Sequence, residues 1–210
     1  MSKQTWKGGT LVAPVPPTMV SVGTHESSNI ITVAWTGILN TVPPKTYVSI
    51  RPSRHSYEII KQTGELVINL TTCDLVKVCD YCGIYTGKKV DKFEKCSLTK
   101  EKASIVSCPM IKESPVNIEC RVTDVIPLGS HDMFICDILA VNVDESLISK
   151  DGKLHLERAN LAAFAHGDYY ELGKKIDCFG CSVKKKKKHR SQKNGKPNSK
   201  SYEKVQKQHE

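Results

Sequence analysis

Residues 29–57 constrain the fold most, because they read as strand, turn, strand and helix in close succession. Residues 30–35 alternate in character, so Ile30, Thr32 and Ala34 fall on one face of a strand and Ile31, Val33 and Trp35 on the other. The proline pair at 43–44 interrupts the chain, and residues 46–51 predict a second strand. Pro52 ends it, because proline has no N–H to donate to a sheet.

A helix over residues 54–62 follows, with Ser53 as its predicted N-cap. Two arginines, two serines and a histidine crowd this helix N-terminus: Arg51, Ser53, Arg54, His55 and Ser56. Free backbone N–H groups and guanidinium forks suit a phosphate. The alternative is an ordinary capped helix with solvated arginines.

The rest of the body is dominated by predicted antiparallel strands, at residues 18–23, 66–70, 115–125 and 133–143. Helical patterns are shorter, at residues 74–85 and 154–164, and residues 87–93 read as a charged loop. The last long strand is apolar on both faces and therefore needs a second cover, either a helix or a partner subunit. We predict a mainly β, closed or nearly closed antiparallel barrel with a few short helices.

The net charge of +9 comes from the C-terminal tail. Residues 183–210 carry ten lysines and one arginine against two glutamates, whereas residues 1–182 carry 20 basic and 20 acidic side chains. The body is thus formally neutral, which argues against nucleic-acid binding by the body itself. The lysine run predicts that this tail is disordered. The alternative is that the tail binds nucleic acid or acidic surfaces.

Nine cysteines include two CxxC pairs, Cys79/Cys82 and Cys178/Cys181. The 95 residues between the pairs far exceed the spacing of about 15–20 in zinc ribbons. Structural burial of the first pair is the favoured interpretation, ahead of a metal site or a redox pair. We expect no metal. The first ten residues lack an apolar segment and no run of about eighteen apolar residues exists, so we expect a cytoplasmic protein without a membrane span.

Four segments in order resemble the flavin reductase-like, FMN-binding split-barrel family, in the style of its flavoredoxin-type members. They are residues 29–57, GKKVDKFE at 87–94, SPVNIECRVTDVIPLGSHDMFICDILAVNVDE at 114–145, and HGDYYELGKK at 166–175. The resemblance runs from about Trp6 to about Val183. It implies a six-stranded Greek-key split barrel, which we place over residues 1–182, before the basic tail at 183–210 that the charge count indicates. It also implies a homodimer with one FMN per subunit near the interface.

The resemblance further implies which residues contact FMN. Those expected along the isoalloxazine ring are Asn29, Thr32, Ala34, Trp35 and Thr36. Those expected at the phosphate and ribityl chain are Arg51, Ser53, Arg54 and Ser56. The predicted site is completed by Asn69 at a strand end, Lys92 at the flavin or phosphate, and Phe164 against the ring.

Physical chemistry agrees with this assignment. Trp35 and Phe164 can supply a flat apolar slot. A cation such as Lys92 near the ring would stabilise the reduced flavin anion. Taken alone, Trp35 would be read as a core aromatic and Lys92 as a solvated charge.

Three functions compete. The first is an oxidoreductase or electron carrier with bound FMN, exchanging electrons with NAD(P)H, a redox protein or a small acceptor. The second is an NAD(P)H-dependent flavin reductase that uses FMN as substrate. The third is a non-catalytic binding module with a nucleic-acid-binding tail. No catalytic residue is identified from the sequence.

Overall fold

The computed structural model describes residues 1–183, so the predicted basic tail lies outside the described residues except for Val183. The strands are β1 (Thr18–Gly23), β2 (Ser28–Val33), β3 (Thr36–Thr41), β4 (Pro44–Ile50), β5 (Glu65–Leu70), β6 (Lys100–Glu101), β7 (Met110–Ile111), β8 (Val116–Pro127), β9 (Asp132–Val143), β10 (Ala162–Ala165) and β11 (Asp168–Glu171). The α-helices are α1 (His55–Thr63), α2 (Val76–Ile84) and α3 (Lys92–Lys95).

Seven strands form one antiparallel sheet in the order β2-β1-β5-β8-β9-β4-β3. The mainly β prediction is confirmed, but the main sheet has seven strands rather than six. The additional strand is β3, which lies in the stretch expected to be a turn. It pairs with β4 as a hairpin, and its exposed Ile38 and Leu39 break the alternation by which a half-buried strand is recognised.

The sheet curls into a barrel because its two edge strands are consecutive in the chain. β2 and β3 lie at opposite ends of the strand order, yet only Ala34 and Trp35 connect them. The Ser49 amide also donates to the Trp35 carbonyl at 2.9 Å, which holds this connection against β4. A flat sheet of seven strands could not be spanned by two residues. The gap between β2 and β3 is the split of the barrel.

Two apolar layers bury the first strand on both faces. The barrel interior is filled by alternating residues of the sheet, among them Val20, Val22, Ile31, Val33, Val48, Ile50, Leu66, Ile68, Phe134 and Cys136. On the other face, Met19 and Ile30 pack against α2 and α3 through Cys79, Cys82 and Phe93. The two helices therefore form an outer wall beside β2.

Helix α1 begins one residue later than predicted. Arg54, and not Ser53, is its N-cap, and its side chain makes no capping hydrogen bond. The helix ends at Gly64, whose φ of 67° is the left-handed conformation that glycine adopts readily. The first turn thus leaves backbone N–H groups for a ligand or water.

Two other predictions need correction. The expected helical segment at 154–164 contains only a short 3₁₀ turn at Leu156–Arg158 and then enters β10. The expected charged loop at 87–93 contains the start of α3, where Asp91 accepts hydrogen bonds from the Phe93 and Glu94 amides. Short segments of this kind depend on tertiary contacts more than on periodicity.

Residues 1–174 form one compact unit, and the residues from Lys175 on fall outside it. The predicted boundary after residue 182 stays a prediction. Among the described residues, no helix combines the length and apolar character needed to cross a membrane.

Candidate functional site

A polar pocket of about 130 Å³ lies at the N-terminus of α1. Its lining includes Asn29 from β2, Ser53, Arg54 and Ser56 from the start of α1, and Lys92 from α3. Asn29 Nδ2 donates to Ser56 Oγ at 2.8 Å, so strand and helix are joined at the pocket wall. The sequence separates these residues by up to 63 positions, and the fold brings all five together.

Lys92 is the buried cation of this polar pocket. Its side chain is only 3% exposed, and its Nζ donates to the Ile30 carbonyl at 2.6 Å and to the Cys82 carbonyl at 2.7 Å. Burial lowers the pKa of this amine, and the neighbouring Arg54 charge acts in the same direction. An ammonium with two of its three hydrogens fixed by carbonyls is a rigid anchor for an anion.

Gly87 completes the wall of the polar pocket opposite α1. A Cβ at this position would lie 2.1 Å from Asn29 Oδ1, closer than any real contact allows. Only glycine lets the backbone approach Asn29 this closely. Gly87 lies outside the predicted site, although it begins the GKKVDKFE segment.

A second pocket, of about 260 Å³, adjoins the first and follows the split of the barrel. The two share Ile31 and Arg54 in their linings. The second pocket adds Thr32, Ala34 and Trp35 from the β2 end, Arg51 from the β4 end, and Phe164 from β10. Trp35 is 39% exposed, so one part of its ring system is open to the surface. We call these the polar pocket and the aromatic pocket.

His131 belongs to the aromatic pocket and was missed by the sequence analysis. It lies in the turn between β8 and β9, and the pairing of Ile50 with Asp132 brings it beside Arg51. Burial lowers its pKa, and the charges of Arg51 and Arg54 lower it further. A histidine in a turn gives no local signal, because its position depends on the register of β4 against β9.

The neighbouring Asp132 also holds α1 in place. Tyr57 OH donates to Asp132 Oδ2 at 2.5 Å, and this hydrogen bond raises the pKa of Tyr57 to about 12. The helix that carries Ser53, Arg54 and Ser56 is therefore fixed to the strand that begins beside His131.

Two predicted site residues lie outside both pockets. Asn69 is fully buried; its Nδ2 donates to Met19 O at 2.8 Å, and its Oδ1 accepts from the Ile111 amide at 3.0 Å and from Asn117 Nδ2 at 2.7 Å. Thr36 is buried and donates to the Tyr47 carbonyl at 2.6 Å. The polar groups of both side chains are hydrogen-bonded within the protein, and their predicted contact with the flavin stays a prediction.

The position of Lys92 fits only one of its two expected roles, which were contact with the flavin ring and contact with the phosphate. It lines the polar pocket, beside Ser53 and Arg54, and is absent from the lining of the aromatic pocket. The cations that line the aromatic pocket are Arg51 and Arg54. The geometry therefore favours the phosphate role of Lys92 over a position beside the ring.

Trp35 and Phe164 also line a third cavity of about 260 Å³, together with Leu11, Val12 and His166. The N-terminal segment is held there by two backbone hydrogen bonds between Val15 and Phe164, at 2.9 and 2.8 Å. The two aromatic side chains thus line both the aromatic pocket and this third cavity.

The cysteines lie in two separate parts of the chain. Over residues 1–183, no three His, Cys, Asp or Glu side chains are arranged to hold an ion. Cys79 and Cys82 are buried in the layer between α2 and the sheet, while Cys178 and Cys181 lie outside the compact unit.

A split antiparallel barrel with a polar pocket beside an aromatic pocket is the architecture expected of a flavin-binding protein. A family model described as the flavin reductase like domain matches residues 12–173, and the chain belongs to that family.

Three relatives illustrate the match. Flavoredoxin of Desulfovibrio vulgaris (Miyazaki F) is 31% identical, with a TM-score of 0.81 over 87% of this chain and 100% of that chain. An uncharacterized protein of Archaeoglobus fulgidus is 36% identical over 136 residues, which cover 65% of this chain and 76% of that protein. The FMN reductase (NADH) RutF of Stutzerimonas stutzeri is 24% identical over 99 residues, covering 47% and 55% respectively.

Proposed function

We propose that the chain is an FMN-binding oxidoreductase that passes electrons through a bound flavin. The observation that carries this proposal is the adjacency of the polar and aromatic pockets, which share Ile31 and Arg54. FMN has a dianionic phosphate at one end and a flat ring at the other, and the two pockets offer matching chemistry in that order. The small polar pocket suits a terminal phosphate, which favours FMN over FAD.

The polar pocket would hold the phosphate through three kinds of donor. The uncapped first turn of α1 presents backbone N–H groups and the positive end of its dipole. The hydroxyl groups of Ser53 and Ser56 add neutral donors, and Arg54 and Lys92 add charge. Lys92 is fixed before any ligand arrives, since its amine is already bonded to Ile30 and Cys82.

The aromatic pocket would hold the ring between Trp35 and Phe164, with Arg51 and His131 at its edge. When bound, FMN supplies one- and two-electron transfer. A cation near the ring stabilises added negative charge, and Arg51 is placed to do so. The third cavity, which shares Trp35 and Phe164, is the proposed entry for a small electron donor or acceptor.

A flavin reductase that treats FMN as substrate is the second candidate. The exposure of residues that line the two pockets favours this candidate. Arg51, Ser53 and Arg54 are exposed, and Trp35 is partly exposed. The name of the RutF relative, an FMN reductase that uses NADH, points the same way. The two candidates differ in how long FMN stays bound. The third function, nucleic-acid binding by the tail, concerns residues 184–210, which lie outside the part of the chain that the structure describes.

We also propose that the protein is a cytoplasmic homodimer. β4 pairs with residues 132–137 of β9 only, and Val141, in the other half of β9, is 53% exposed. Ile38 of β3 is 72% exposed. Apolar side chains exposed on strands are what a second copy would cover. Sedimentation velocity at micromolar concentration should show a dimer, and Val141→Lys should shift it toward monomer. A monomer with FMN bound would contradict this.

The function is tested by purifying the full chain and recording its absorption spectrum. A flavin spectrum that survives gel filtration, with FMN released on denaturation, is the expected result. FMN lost on gel filtration but reduced by NADH or NADPH in turnover would favour the second candidate. FAD as the bound flavin, or no flavin after reconstitution, would overturn the proposal.

A further inference from the structure

Cys82 has a nearby thiol partner that the CxxC motif does not reveal. Cys82 lies near the end of α2 and Cys96 directly follows α3, and both belong to the same apolar cluster beneath the sheet. Their thiol groups interact directly. Lys92 connects the two residues, because its Nζ donates to the Cys82 carbonyl at 2.7 Å and its own carbonyl accepts from the Cys96 amide at 3.1 Å.

We propose that Cys82 and Cys96 form a reversible disulfide that responds to hydroperoxides. The pair encloses the segment that lines the polar pocket, including Gly83, Gly87 and Lys92. Cys82 itself lines that pocket. The proposed bond would fasten the end of α2 to the end of α3 and close a covalent loop around this wall.

The two thiols are suited to different steps. Cys96 is half-buried, and burial raises its pKa, although the hydrogen bond with Cys82 and the charges of Lys92 and Lys95 oppose this rise. Cys82 is 1% exposed, and burial raises its pKa to about 12. Cys96 is therefore the attacking sulfur and Cys82 the resolving one.

The reaction balances with hydrogen peroxide as oxidant. The Cys96 sulfur attacks one peroxide oxygen, the O–O bond breaks, and the products are a sulfenic acid and one water. The Cys82 sulfur then attacks the Cys96 sulfur, the S–O bond breaks, and a second water leaves with the Cys82 proton. Two thiols are oxidised by two electrons and one peroxide is reduced to two waters. A small dithiol reverses the reaction by exchange.

Peptide mapping tests this directly on the full chain with its flavin bound. After treatment with hydrogen peroxide, free thiols are blocked in acid and the protein is digested with trypsin. Cleavage after Lys77, Lys88, Lys95 and Lys100 places Cys82 in residues 78–88 and Cys96 in residues 96–100. The expected product is these two peptides joined, and separated again by reduction.

Variants identify the sulfur atoms. Cys79→Ser, the matched control in the same peptide, should keep the cross-link. Cys82→Ser should remove it and leave a Cys96 sulfenic acid that dimedone traps. A bond between Cys79 and Cys82, or Cys96 oxidised without any cross-link in the unsubstituted chain, would overturn the proposal.

A second measurement concerns the pocket wall and rests on the proposed function. The oxidised chain should release FMN several-fold more slowly than the reduced chain, and Cys82→Ser should show no such difference. Equal release rates despite a mapped cross-link would refute the effect on the pocket while leaving the disulfide. Absence of FMN would count against the proposed function and leave the peptide map valid.

Discussion

The side-chain amide of Asn29 donates a hydrogen bond of 2.8 Å to the hydroxyl of Ser56. Both residues are buried, and they join β2 to the first turn of α1. This contact fixes the distance between the strand that borders the split of the barrel and the helix N-terminus that borders the polar pocket. The geometry of the proposed phosphate site therefore depends on it.

Ser56→Ala should lower both stability and FMN affinity. It leaves the Asn29 amide buried without this partner, at a cost of about 1–3 kcal/mol. Urea denaturation of Ser56→Ala, Asn29→Ala and the double variant gives the coupling between the two side chains. A coupling indistinguishable from zero would show that the contact does not hold strand and helix together.

Gly87→Ala should weaken FMN binding more than it destabilises the fold. The new methyl group would meet Asn29 Oδ1 at 2.1 Å and displace this side chain from Ser56. Gly173→Ala is the matched control, since a Cβ there has no neighbour within 4 Å. Fluorescence titration with FMN should show at least a ten-fold weaker Kd for Gly87→Ala alone. Equal FMN affinities of the Gly87→Ala and Gly173→Ala variants would mean that displacement of Asn29 does not affect FMN binding.

Lys92→Met should destabilise the chain by about 1–3 kcal/mol, because the Ile30 and Cys82 carbonyls lose their donor. It should also speed FMN release while changing the flavin midpoint potential little, because Lys92 lines the polar pocket and not the aromatic one. Lys77→Met, on the exposed side of α2, is the control. A large fall in potential with unchanged retention would place the ammonium beside the ring.

Glu119 should make stability depend on pH in the acidic range. Burial opposes its charged form, but hydrogen bonds from Asn142 and from the amides of Ser104, Val106 and Ile105 outweigh burial and lower its pKa. The Glu119 carboxylate therefore binds a proton more readily in the unfolded chain than in the folded one. The stabilisation is complete above the ordinary glutamate pKa and is lost as pH falls through the lowered one.

Glu119→Gln tests this sign. The variant should be less stable than the original chain at pH 7, by about 1–3 kcal/mol, and the difference should shrink toward pH 3. Glu58→Gln, at an exposed position on α1, serves as the control. Denaturant unfolding at a series of pH values supplies the measurement, and a difference that stays constant with pH would contradict the assignment.

Sequence reasoning found the strands that alternate and the helix that follows Pro52, because these signals are local. The resemblance carried by four motifs in order named twelve site residues, and ten of these line the two pockets. Sequence reasoning missed β3, whose exposed apolar residues give no alternation, and His131, whose place depends on strand register. It could not distinguish the surroundings of Asn69, since an asparagine at a strand end reads the same whether it faces a ligand or three backbone groups.

The connection of two residues between β2 and β3 has a consequence for ligand recognition. Among the described residues, these strands are the free borders of the main sheet, so each presents main-chain N–H and C=O groups without a strand partner on its outer side. A heterocycle with donors and acceptors along one rim can pair with such groups as another strand would. Recognition of this kind would not depend on side-chain identity, so it would survive the exchange of most side chains along this border.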